Sequence, residues 1–208
     1  MEIFSKINGK SLGIEQKEVY RYLGYHFGGN VPSDPELEKT VVELEKKLKE
    51  VITPRCIYEE FILKISDDTC LLYSKESKED IPALSFPSKK LSAHLRDCNR
   101  VLLFAATIGP SADMLIRRSS VKSSLKPAVL QALGAAAIES YADEITEHIR
   151  EEYGNIKMRF SPGYGDFSLE HQKDFFKVLQ LEKNLGISLN KALLMTPSKS
   201  ITAVIGIL

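Results

Sequence analysis

The sequence predicts a mixed α+β fold, a mostly antiparallel twisted sheet with helices packed on it. Three observations carry this expectation. The alternating run Ile57–Ile65, the turn Asp67-Asp68 and the run Thr69–Tyr73 read together as a β-hairpin. The helical periodicities are grouped, whereas a doubly wound fold alternates helix and strand strictly. Gly109 alone follows the apolar run Val101–Thr107, too little glycine for a Rossmann nucleotide turn.

Taken in order, Leu12–Leu23 reads as a short helix closed by Gly24, with a break at Gly28-Gly29. Ser33–Glu36 has the form of a capping box, with Pro35 suited to a first helical turn. Leu37, Val41, Leu44, Leu48 and Val51 then recur at helical spacing up to Pro54. After the hairpin, the polar and Pro-containing stretch Ser74–Ser88 predicts a loop or lobe boundary. Residues 1–88 therefore form N-terminal helices and a hairpin of the same unit, and residues 89–208 the main region.

A helix is expected over Lys89–Asp97, then a buried strand at Val101–Ala106. Ile108-Gly109-Pro110 turns into another helix running through Leu115. The clearest element is a helix over Lys126–Tyr153, with apolar residues four apart from Leu125 to Ile149. Its small residues Gly134–Ala137 would let another backbone come close, and Gly154 stands where a helix end favours positive φ. Ile156–Phe160 reads as a short strand and Ser168–Lys183 as a helix ending near Gly186. Leu194–Thr202 is a hairpin or a strand-loop-strand, leading into the terminal strand Ile201–Ile207. There is no internal repeat.

Composition removes several function classes. The 208 residues carry 28 Lys+Arg against 28 Asp+Glu, so a nucleic-acid surface is not expected. No apolar run approaches the roughly 18 residues of a membrane span. The stretch MEIFSKINGK lacks the apolar centre of a signal peptide, and a cytoplasmic protein is expected. Cys56, Cys70 and Cys98 are odd in number and widely spaced, which supports neither a disulfide framework nor a zinc knuckle. His26, His94, His148 and His171 show no metal-ligand spacing, so no metal site is expected.

Chemistry concentrates in Arg159-Phe160-Ser161-Pro162-Gly163-Tyr164-Gly165-Asp166. A strand ends in an arginine whose planar guanidinium suits a carboxylate or a phosphate in fixed orientation. The glycines let backbone approach a ligand, and Tyr164 adds a flat ring and a hydroxyl. An ordinary Pro-Gly loop with a surface arginine has the same appearance. A second stretch, Met195-Thr196-Pro197-Ser198-Lys199-Ser200, offers hydroxyls such as that of Ser200 for a polar ligand, or simple turn chemistry.

In this order, an Arg-x-x-x-Gly-Tyr segment, a helix, and a Met-x-Pro-x-x-Ser segment leading into a final strand resemble the activation domain of vitamin B12-dependent methionine synthase. The likeness is most specific over Val101–Leu208 and includes the turn Ala106–Pro110 and the helix residues Ile138–Asp143. The earlier part is more similar to stand-alone versions of the domain. The resemblance implies that Arg159 pairs with the carboxylate of S-adenosylmethionine. It implies further that backbone around Phe160, Ser161, Pro162 and Gly163 and the ring of Tyr164 complete much of that site, and that Tyr164 also lies near the face of a cobalamin presented by a partner protein. Glu139 stands in the place of a family acidic residue, although Glu139, Asp143 and Glu147 could equally form a solvated helix face. Thr196 stands where the family often has tryptophan, and residues 1–60 hold no counterpart of the family's early acidic contact to the ligand amino group.

The chain lacks Asp-x-His-x-x-Gly, the signature that ligates cobalt in corrinoid-binding domains, so the cobalamin would come from a partner. The implied function is a stand-alone reactivation subunit, an accessory to a methyltransferase. It would work with a cobalamin-binding methionine synthase or related corrinoid protein and an external electron donor. No catalytic acid or base is needed, since methyl transfer from a sulfonium to a strong nucleophile requires alignment. The alternative is a non-catalytic module that senses S-adenosylmethionine or binds a corrinoid protein.

Overall fold

The computed structural model describes residues 2–4, 8–25, 34–76, 81–120 and 125–208. In chain order the main elements are β1 (Glu2–Phe4), α1 (Gln16–Tyr22), α2 (Pro35–Val51), β2 (Arg55–Ser66), β3 (Thr69–Ser74) and β4 (Leu84–Pro87). There follow α3 (Lys89–His94), β5 (Arg100–Thr107), α4 (Ser111–Ser119), α5 (Leu125–Tyr153), α6 (Gln172–Val178) and α7 (Leu181–Leu185). The chain closes with β6 (Ser188–Leu189), β7 (Met195–Thr196) and β8 (Ser200–Ile207). Strands β4-β3-β2-β5-β8 lie side by side, β1 adds to β2, and every pairing is antiparallel. The α+β expectation therefore describes the molecule, and strands from before and after residue 88 share one sheet.

Both sheet faces are covered. On one, Cys56, Tyr58, Leu102, Phe104, Ala203 and Ile205 meet α1, α2, α4 and α5. On the other, Ile57, Phe61, Val101, Leu103 and Val204 meet Leu91 of α3, Leu95 just after it, Phe167, and the apolar residues of α6 and α7. This double cover is why Val101–Ala106 is wholly apolar and fully buried although its sheet is antiparallel, a pattern more usual in parallel sheets.

Several local expectations change. Asp34 caps α2, its carboxylate accepting from the Glu36 and Leu37 amides at 3.0 and 3.1 Å. Ser33 and the Gly28-Gly29 break lie outside the described residues. The first helix is shorter than Leu12–Leu23, and α3 stops at His94. The stretch read as loop contains edge strand β4, where Leu84 and Phe86 face the core while Ser85 and Pro87 face out. The expected helix over 168–183 is broken, because Gln180 adopts φ 47°; a 3-10 turn Leu169–His171, α6 and α7 replace it. Gly134 admits not another backbone but the Lys199 side chain, whose Cε would lie 2.9 Å from an added Cβ. Gly154, at φ 80°, ends α5 as expected.

The expected strand at 156–160 proves irregular, and this shapes the site. It runs along the free edge of β8, joined by isolated bridges Ile156–Ile207 and Phe160–Val204. Four residue steps on this side match three on β8, so one extra residue bulges out between the bridges. The bulge re-aims Met158 and Arg159. Just beyond it, Phe160 and Val204 exchange both backbone hydrogen bonds at 2.9 Å.

Candidate ligand-binding cleft

Arg159 leaves the bulge and crosses to α5. Its Nη1 donates to Asp143 Oδ1 at 2.9 Å and Thr146 Oγ1 at 3.0 Å, and its Nη2 donates to Glu139 Oε2 at 2.9 Å. The three acceptors recur four and three residues apart, on one stripe of the helix. Packed between strand edge and helix, the Arg159 side chain is only 15% exposed. Its guanidinium has five N–H donors, so two remain without a partner among the described residues.

Around it lies a cleft of about 620 Å³, bounded by α5 on one side and by His94, Met158, Phe160, Ser161 and Tyr164 on the other. Three carboxylates, of Glu139, Asp143 and Glu147, face two guanidinia, of Arg150 and Arg159. Glu147 is paired with Arg150. The acidic stripe of α5 is thus partly neutralised by Arg159 and Arg150.

Beyond Phe160 the chain leaves the sheet. Gly163 and Gly165 take φ 91° and 63°, open to glycine at little cost, and the Gly163 amide donates to the Phe167 carbonyl at 2.7 Å. Pro162 is buried and, with Gly163, shapes the turn without lining the cleft. The Tyr164 ring meets the Phe160 ring edge-on at 5.7 Å and is otherwise 71% exposed. Asp166 turns back to α3 and accepts from Ser88 Oγ at 2.6 Å and from the Lys89 and Lys90 amides. These donors, Ser88 foremost, hold its carboxyl below the ordinary aspartate pKa.

The cleft brings together Arg159, Phe160, Ser161, Tyr164 and Glu139. Ser200 is not among its lining residues. Its hydroxyl is buried on β8, 2.9 Å from Thr107 Oγ1 and 2.8 Å from the Pro197 carbonyl. Neighbouring polar groups are also engaged internally: Ser198 bonds Asp113 through its amide and hydroxyl, and Lys199 Nζ donates to the Gln131 carbonyl at 3.2 Å. Burial pushes the Lys199 ammonium pKa down. The segment is a strand-loop-strand whose arms belong to different sheets, β7 pairing with β6 and β8 with β5.

Sequence reasoning did not anticipate Thr146, His94 or Met158 at the cleft, nor the pairing of Asp143 with Arg159. Asp143 carried a signal, its four-residue spacing from Glu139. His94 and Met158 carried none, because their positions follow from the bulge and from the packing of α3.

Neither a protein-family profile nor a curated protein sequence matches the chain. Among solved structures, the crystal structure of the MetH reactivation domain bound to AdoHcy is similar in fold, with a TM-score of 0.75. The match covers 99% of this chain and 78% of the other at 16% identity. The curled antiparallel sheet with packed helices is the fold of that domain. Among the described residues no helix is long and apolar enough to cross a membrane.

Proposed function

We propose that this chain binds S-adenosylmethionine in the Arg159 cleft and serves in the reactivation of a cobalamin-dependent methionine synthase or a related corrinoid protein. The observation that carries the reading is a mostly buried guanidinium flanked by two carboxylates in one cleft. That charge pattern complements the zwitterionic head of an amino acid. The two remaining N–H groups of Arg159 suit the ligand carboxylate, and Glu139 and Asp143 suit its ammonium. A cleft of about 620 Å³ lies within the usual range for ligands of this size. The shared fold supports the same reading, since the neighbouring domain was crystallised with AdoHcy.

In such a reaction the methyl group passes from the sulfonium to the reduced cobalt of the partner's cobalamin, and the sulfur keeps the bonding pair as S-adenosylhomocysteine. An external donor first supplies the electron that reduces the cobalt. The residues described here have one task, to hold the donor so that its methyl faces outward. Proximity and orientation then supply the rate. Arg159 and the acids of α5 fix the amino-acid end of the ligand. The exposed ring of Tyr164 presents a flat apolar surface to the incoming partner. The protein is expected to act in the cytoplasm, without a nucleic acid or a membrane.

The test is reductive methylation. A corrinoid partner in the cob(II)alamin state is mixed with a reductant and methyl-labelled S-adenosylmethionine, with and without this protein. Methylcobalamin should carry label only when the protein is present. Equal labelling in its absence would remove the reactivation role and leave a sensing or binding module.

A further inference from the structure

Helix α3 is tied to the binding segment at both of its ends. At its start, Asp166 Oδ1 accepts from Ser88 Oγ at 2.6 Å and from the Lys90 amide at 3.2 Å, while Oδ2 accepts from the Lys89 amide at 3.0 Å. Ser88 Oγ accepts in turn from the Leu91 amide at 3.0 Å, so one hydroxyl caps the helix and donates to Asp166. At its end, His94 Nε2 lies 2.9 Å from the Met158 carbonyl, and its ring packs on Phe160 with centroids 5.3 Å apart. Between these ties Leu91 is fully buried, as is Leu95 just past the helix end, which anchors α3 in the core.

Met158 and Asp166 bracket the segment that carries Arg159, Phe160, Ser161 and Tyr164. Within it, Phe160 is pinned to β8, but the excursion from Ser161 to Gly165 has left the sheet. The Tyr164 ring packs edge-on against Phe160, and two glycines at positive φ flank it. Its amide donates to the Ser161 carbonyl at 3.1 Å and its carbonyl accepts from the Phe167 amide at 3.0 Å, bonds that close the turn on itself. The excursion therefore depends on its far end being fixed. Phe167 anchors it there through its ring, wholly buried beside Phe86, while its backbone bonds to Gly163 and Tyr164 lie within the turn and do not tie it to α3. Apolar packing permits rotation and sliding that a three-donor carboxylate clamp does not.

We infer that Asp166 is a positioning residue: by clamping the end of the binding loop to the start of α3, it sets the Tyr164 ring relative to the Arg159 guanidinium across one cleft. The inference rests on the reading of that cleft as the S-adenosylmethionine site. The two oxygens have different tasks. Asp166→Asn can keep the Ser88 and Lys90 bonds on Oδ1 but turns an amide toward the Lys89 N–H, whereas Asp166→Ala loses all three. Wild type, Asn and Ala should therefore form a graded series.

The sequence contains no tryptophan, so Tyr164→Trp places a single tryptophan on the loop, excited selectively over the tyrosines. Its steady-state anisotropy, without ligand and well below the melting temperature, should fall from the Asp166 parent through Asp166→Asn to Asp166→Ala. In the Tyr164 background, calorimetric affinity for S-adenosylmethionine should fall in the same order, by at least about fivefold for Asp166→Ala. Unchanged anisotropy would overturn the inference, as would lower anisotropy with unchanged affinity. If the wild-type protein binds no S-adenosylmethionine, the functional reading fails, while the anisotropy series still decides whether Asp166 holds the loop. A far-ultraviolet spectrum confirms that each variant is folded; should Asp166→Ala not fold, the Asn variant carries the comparison alone.

Discussion

Removing the Arg159 side chain should separate binding from stability. A charge-assisted contact of this kind contributes about 1.5–3 kcal/mol. Arg159→Ala should thus weaken S-adenosylmethionine binding roughly 12- to 160-fold. The fold should lose less than the upper part of that range. The Glu139 and Asp143 side chains are 42% and 73% exposed, and water screens their pairing with Arg159. Such pairs contribute about 0–1 kcal/mol each. Thr146 is not left without a partner, since its hydroxyl also donates to the Ala142 carbonyl at 2.6 Å. Unfolding should therefore shift by no more than about 2 kcal/mol. Arg159→Lys, which keeps the charge but loses the planar fork, should fall between wild type and alanine in affinity. Isothermal titration calorimetry and thermal melts on the three proteins measure both quantities. Equal affinity in wild type and Arg159→Ala would refute the anchor, and a collapse of stability would refute the view that the arginine serves the cleft more than the core.

Other outcomes follow from the same packing. Because the folded protein holds the Asp166 carboxyl below its ordinary pKa, this residue stabilises the fold above the unfolded-state value of about 3.9, and that contribution is lost as pH falls through the lower folded value; acid titration of Asp166→Asn should lack this component of the wild-type loss. Gly206→Ala places a Cβ 2.6 Å from Cys98 Sγ and 2.7 Å from Leu95 Cδ2, both in the packed second core, and should cost about 1–3 kcal/mol in denaturant unfolding. Cys56, Cys70 and Cys98 are buried, and burial pushes the thiols of Cys70 and Cys98 up, so a thiol reagent should label the native protein far more slowly than the unfolded chain.

What the sequence revealed, and what it hid, has physical causes. The hairpin of β2 and β3 and the apolar runs of β5 and β8 were legible because two covered sheet faces demand apolar residues in register. The long helix α5 announced itself by apolar residues four apart from Leu125 to Ile149, and all of these but Leu125 are buried. Edge strand β4 was hidden although Leu84 and Phe86 alternate correctly, because Pro87, the preceding Pro82 and the charged stretch before them resemble a loop. The bulge between Ile156 and Phe160 was hidden because one extra residue leaves no compositional trace. In the cleft, the Arg159–Tyr164 pattern was readable within a single stretch. The acceptors of its arginine lie on a helix that ends before the stretch begins, and only the bulge decides that the guanidinium meets Asp143, Glu139 and Thr146 together. Ser200 looked available because its hydroxyl sits in a polar turn; the pairing of β8 with β5 turns it inward to Thr107.

The most direct test of the central claim is a crystal structure of the protein soaked or grown with S-adenosylhomocysteine. The ligand should lie between α5 and residues 158–166, its carboxylate on the Arg159 guanidinium, its ammonium at Glu139 or Asp143, and its sulfur directed toward the open side beside Tyr164. Density elsewhere on the molecule, or a vacant cleft at saturating ligand with Arg159 still bound to all three α5 acceptors, would contradict it.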